Sequence, residues 1–266
     1  MCKLELTPLK LAVGLLVVVT GLLLGGIVTQ YIRYSYGNES QLSFVRLFNL
    51  EGENNLPSWY SSLALFLSSA ALGTIGLQRR QERNPWAWHW LALAFGFLYL
   101  SADEAASIHE IAAPLVHRWL DATGHANTVI SVIGTAWLLV GIPVAAIVFL
   151  MFWGFLRHLP FATRALFLVA GGLFITGTLG VEAVGGRYLA NNGGSHTLTY
   201  QMMVVVEEGL EMLGIVVFLY ALTTYMATHR ISLRVTFSSG QSYVEPFASL
   251  PRSVVLPAPG WLRRKL

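Results

Sequence analysis

Residues 122–156 read ATGHANTVISVIGTAWLLVGIPVAAIVFLMFWGFL, a stretch without a single Asp, Glu, Lys or Arg. A helix crosses the ~30 Å hydrocarbon core of a bilayer in about 20 residues, so this stretch alone is long enough to span a membrane. Residues 11–32, 56–78, 84–102, 165–181 and 212–228 are likewise free of charge. None alternates apolar and polar residues as a barrel strand would, and lipid satisfies no backbone polar group. The pattern therefore predicts an all-α integral membrane protein, a bundle of six transmembrane helices.

Composition agrees. The 266 residues are 55% hydrophobic and only 12% charged, too little polar surface for a fold that faces water on all sides. The expected spans are approximately 10–32, 58–78, 85–104, 127–156, 163–184 and 200–228. They make a transmembrane domain over 1–229 and leave a basic tail over 230–266.

The loops set the orientation. With the N-terminus inside, thirteen Lys and Arg fall on cytoplasmic segments, among them Arg79, Arg80, Arg83, Arg157 and Arg164. Four fall outside: Arg33, Arg46, Arg118 and Arg187. That asymmetry places both termini in the cytoplasm. A net charge of +3 spread in this way implies a lipid bilayer as partner and no nucleic acid. The single cysteine, Cys2, excludes an intrachain disulfide and a multi-thiolate metal site.

Acidic residues gather where the chemistry is expected. Asp103, Glu104 and Glu110 end the third helix, Glu182 ends the fifth, and Glu207, Glu208 and Glu211 begin the sixth. The topology brings all three ends to the outer, periplasmic face. Glu207 and Glu211, four apart, share a helix face, and His109 stands beside Glu110. Like charges at one depth of a membrane are compensated by protons, a bound cation or a partner. Carboxylates with an imidazole suit Mn, Fe, Zn or Ca. The candidate ligands are Asp103, Glu104, His109, Glu110, Glu182, Glu207, Glu208 and Glu211, from which about four to six would hold one ion. A spare carboxylate could then serve as base for a metal-bound water, as in a metal-dependent membrane enzyme.

The structural alternative is that these acids are solvated at helix ends or offset the N-terminal dipole of the sixth helix. Two other functional readings stand beside the metal site: a non-catalytic subunit of a larger membrane complex, and a transporter of protons or cations. No complete catalytic motif is present. His109-Glu110 opens a zincin-like H-E-x-x-H whose second histidine position is Ala113.

Smaller features carry structural expectations. Gln41–Leu50 is expected to form an interfacial helix, and Trp86, Trp88 and Trp90 an inner aromatic belt. Helix 3 is expected to run on through Leu120 with a kink at Pro114, and 185–196 to be a glycine-rich loop. Gly172, Thr176 and Gly180 in the fifth helix, and Gly21 with Gly25 in the first, are expected to form close-packing faces. Residues 231–240 suggest a short hairpin.

Three sets of residues carry a resemblance: Glu53-Asn54-x-x-Pro57-x-Trp59-Tyr60-Ser61-Ser62, then Leu100-Ser101-x-Asp103-Glu104 with His109-Glu110, and Glu207-Glu208-x-x-Glu211. In these the chain resembles an uncharacterised family of bacterial multi-pass membrane proteins, across helices 2 to 6 but not the tail. The resemblance implies no activity. It does imply that Glu53 belongs with the outer carboxylates.

Overall fold

A computed structural model of the chain describes residues 7–36, 43–124, 129 and 132–232, the side chains of residues 36, 43, 44 and 109–113 excepted. Among the described residues every regular element is helical. In chain order these are α1 (Pro8–Tyr36), the short α2 (Ser43–Phe48), α3 (Leu56–Gln81), α4 (Ala87–Ala106) and α5 (Ile108–Thr123). There follow α6 (Leu138–His158), α7 (Phe161–Ile175), a π-helical segment (Thr176–Val181), α8 (Glu182–Asn191) and α9 (Leu198–Thr228). Four stretches are long and apolar enough to cross a membrane: Pro8–Ser35, Leu56–Gln81, Leu138–His158 and Phe161–Asn191. The chain divides after Ser232 into two units, and the second, Leu233–Leu266, with its expected hairpin residues, lies outside the described residues.

α9 is the axis of the bundle. It buries Val204 and Met212 beside Val19 and Leu22 of α1, and Ile215 and Leu219 beside Ala64 and Leu65 of α3. Phe218 meets Phe167 of α7 at 4.7 Å and stacks on Phe97 of α4 at 4.5 Å. Lipid tails are as apolar as these side chains, so packing and interhelical hydrogen bonds, rather than escape from water, hold such helices together. α3 and α4 show both. Ser62 Oγ donates to the Ser101 carbonyl at 2.8 Å and Ser101 Oγ returns a bond to the Ser62 carbonyl at 2.9 Å. Ser69 Oγ adds a third to the Ala94 carbonyl at 2.7 Å.

α3 begins at a built cap. Asn55 Oδ1 accepts from the Ser58 amide at 3.0 Å, and the Ser58 hydroxyl accepts from the Asn55 amide at 3.2 Å. This capping box satisfies two of the orphan donors that every helix start exposes. Asn55 Nδ2 donates to the carbonyls of Asn49 and Gly52, so the same residue ties the preceding loop.

Several local expectations change. α2 is shorter than the interfacial helix expected over 41–50. α4 does not continue through Leu120: Ser107, at φ 49° and ψ 43°, takes the left-handed conformation and ends it, and α5 starts afresh. A single left-handed residue breaks the helical path, so the turn comes before Pro114 could bend anything. The tryptophan belt is divided. Trp88 is exposed with the Arg80 guanidinium 4.9 Å from its ring, whereas Trp90 is core, packed on Phe155 and Tyr225. Gly185 and Gly186 lie buried in α8 rather than in a loop.

Of the expected close-packing glycines, Gly25 is in contact, where a Cβ would stand 2.5 Å from the Phe48 ring, whereas Gly21 has nothing within 4 Å. Gly172 has nothing within 4 Å of where a Cβ would stand, and Gly180 meets only Thr176 of its own turn. A Cβ on Gly214 would instead sit 2.9 Å from the Ala170 carbonyl oxygen and 3.0 Å from the Phe174 amide nitrogen. Those neighbours are backbone and cannot step aside. Gly214→Val should therefore force α7 from α9 and cost about 1–3 kcal/mol, as overpacking does. Gly171→Ala, where the space is open, should cost nothing. Thermal melting in a mild detergent compares the two.

Candidate functional site

Three carboxylates project from the first half of α9. Glu207 and Glu211 are one turn apart, and Glu208 and Glu211 are three residues apart, so Glu211 neighbours both. All three are partly buried. The charges acting most strongly on Glu208 are those of Glu211, Glu104, Glu207 and Glu53. On Glu211 they are those of Glu207, Glu104 and Glu182. Glu182 also acts on Glu207. Carboxylates from α4, α8, α9 and the loop before α3 thus influence one another. Among the described residues, none of Glu207, Glu208 and Glu211 forms an ion pair with a basic side chain.

The backbone opposite is unusual. The chain passes through the π segment Thr176–Val181 as it runs beside Glu207–Glu211. A Cβ on Gly177 would stand 2.8 Å from the Glu207 carbonyl oxygen and 2.8 Å from Glu211 Cγ, so only glycine allows this approach. The next residue, Thr178, donates its hydroxyl to the Phe174 carbonyl at 2.9 Å. π turns cost hydrogen-bond geometry and recur at functional sites, where they re-aim side chains.

Glu182 is held differently. Trp137 Nε1 donates to its Oε1 at 2.5 Å and Thr135 Oγ1 donates to the same oxygen at 3.4 Å. These bonds tie the chain entering α6 to the start of α8.

A second network, not foreseen from the sequence, closes one side of the region. Glu51 Oε2 accepts from Gln201 Nε2 at 2.7 Å, and Glu51 Oε1 meets His196 Nδ1 at 2.5 Å. Arg33 lies 3.9 Å from the same carboxylate, and Tyr34 donates to the His196 carbonyl. Gln30 Nε2 donates to Asn49 Oδ1 at 3.1 Å. Thr29, Gln30 and Gln201 are almost wholly buried. The available signal was uncharged: Thr29-Gln30 inside an apolar span and Gln201 at the start of another. Polar residues at such depth need partners.

The sequence candidates separate accordingly. Glu104, Glu182, Glu207, Glu208 and Glu211 act on one another. Asp103 is partly buried beside Glu104 but is not among the charges that dominate at Glu208 or Glu211. The side chains of His109 and Glu110 lie outside the described residues. Among the described residues, no three of His, Cys, Asp and Glu are gathered closely enough to share one metal ion.

The family described as Domain of unknown function (DUF8692) matches residues 10–225. The chain belongs to this family. The DUF8692 match begins in α1 and ends three residues before α9 does, so it covers every helix and carboxylate described above. No curated protein and no solved structure matches the chain.

Glu51→Ala should unlink α1, the α2–α3 loop and α9, leaving the buried amide of Gln201 without its acceptor. A buried donor stranded in this way costs about 1–3 kcal/mol. A correspondingly lower melting temperature in detergent is the expected outcome.

Proposed function

We propose that this protein crosses a bacterial inner membrane six times, with both termini in the cytoplasm, and holds a cation among carboxylates near the outer face. The observation that carries the reading is the set of three partly buried carboxylates, Glu207, Glu208 and Glu211, on adjacent turns of α9 against Gly177 of the π segment. Carboxylates crowded at the boundary of a low-dielectric medium repel one another, and the three on α9 have no basic partner among the described residues. A cation offsets that repulsion directly. The π segment and Gly177 support the same reading, because they bring backbone unusually close to Glu207 and Glu211.

The donor chemistry narrows the ion. The side chains acting on Glu208 and Glu211 supply oxygen only, without sulfur or imidazole. All-oxygen sites suit Ca, Mg or Mn better than Zn. Glutamate reaches across a gap through three torsions, so binding would draw the carboxylates inward by rotamer change. His109 and Glu110 are the further ligands that would shift preference toward Fe or Zn.

Elemental analysis of protein purified without chelator should find about one divalent ion per chain, in the range of affinity that Ca and Mn sites show. Glu208→Gln and Glu211→Gln should each lose it while remaining folded. Wild-type protein that carries no metal and is not stabilised by Ca or Mn on reconstitution would overturn the proposal.

The topology has its own test. In a Cys2→Ser background, Trp59→Cys should react with an impermeant maleimide from outside intact cells. Gln81→Cys, at the other end of the exposed edge of α3, should react only after permeabilisation. Reversed labelling would invert the orientation.

A further inference from the structure

The opposite end of the bundle holds a cavity of about 240 Å³ where α3, α6 and α9 end and α4 begins. Its lining includes Arg79, Asn84, Trp86, His158, Tyr225 and His229. The guanidinium is held in place: Arg79 Nη2 donates to Tyr225 Oη at 2.8 Å and Nη1 to Glu82 Oε2 at 2.7 Å. The two imidazoles are also braced. His158 stacks on Trp86 at 5.2 Å, and His229 stacks on Tyr225 at 4.0 Å. His229 Nδ1 lies 2.9 Å from the Tyr225 carbonyl, so it carries a proton there, and Nε2 donates to an oxyanion when the ring is protonated at that nitrogen as well.

A basic side chain in or just past the last turn of a helix suits the C-terminal dipole, which accounts for Arg79, His158 and His229 singly. It does not account for three such groups around one cavity with aromatic walls. A planar guanidinium with imidazole and amide donors at the level where apolar helices end matches a phosphate oxyanion. Exposed apolar side chains run from the cavity along α6 and into α7, among them Leu150, Met151, Trp153 and Phe161. Such a surface takes acyl chains.

We propose that this cavity is a phosphate-ester site, occupied by the headgroup of an anionic phospholipid. Glu82 is the built-in competitor. Its carboxylate, largely exposed, holds the guanidinium in the absence of ligand, and the hydrogen bond from Arg79 keeps its carboxyl below the ordinary carboxylate range. A headgroup phosphate takes the place of that carboxylate. The site is remote from the α9 carboxylates, so its test is independent of the cation proposal.

The full chain in mild detergent, offered phosphatidylglycerol and phosphate-free diacylglycerol in equal amounts, is read by native mass spectrometry. Wild-type protein should retain the anionic lipid with about tenfold preference, the scale of one charge-assisted contact. Arg79→Gln should abolish the preference. Glu82→Gln should raise retention above wild type, a gain that misfolding does not imitate, so it decides the matter if Arg79→Gln fails to fold. Retention that millimolar inorganic phosphate does not displace identifies the lipid. Displacement by inorganic phosphate, with phosphate alone raising the melting temperature of wild type but not of Arg79→Gln, identifies free phosphate as the natural source. Equal retention of both lipids without a phosphate effect, or a preference unchanged by Glu82→Gln, overturns the proposal.

Discussion

α9 must serve as the apolar axis of the bundle and carry three carboxylates, and the rest of the structure answers to that double demand. Its second half behaves as core. Phe218, Leu219, Leu222 and Tyr225 are buried against α3, α4 and α7. Its first half carries Glu207, Glu208 and Glu211, each of them a group that lipid does not solvate. One helix thus meets two environments, and its neighbours are arranged to supply both.

The supporting devices divide along the same line. Where α9 is apolar, α7 closes to backbone contact through Gly214, and Trp90, Phe155 and Phe167 fill the remaining space with tilted and edge-on rings. Where α9 is acidic, α7 unwinds into the π segment and approaches through Gly177. Glu182 and Glu51 are both bonded in, the first by Trp137 and Thr135, the second by Gln201 and His196. A polar region in a membrane protein needs such bonds, because each stranded donor or acceptor costs about as much as a hydrogen bond gains.

The two ends of the bundle carry different polar groups. Carboxylates collect around the first half of α9, whereas Arg79, His158 and His229 surround a cavity where helices finish. The antiparallel run of α9 against α1 and α7 separates the two groups by most of the length of α9.

Charge-free runs in the chain determined by themselves that it is helical and suited to a membrane, because a bilayer leaves the backbone almost no alternative. Counting along a helix also paired Glu207 with Glu211, since that spacing is local. Which glycines permit close approach, by contrast, depended on what faces them: Gly172 and Gly180 look suitable in the chain yet face no other helix closely, whereas Gly177 and Gly214 meet the backbone of a neighbouring helix. The same holds for Trp90, which composition assigns to an interface and packing assigns to the core. Glu51 joins Gln201 across 150 residues, and Ser107 ends α4 through one left-handed turn; neither leaves a periodic trace. Periodicity reports only what a helix repeats along itself. Tertiary packing decided the rest, because a contact between helices depends on two distant stretches at once.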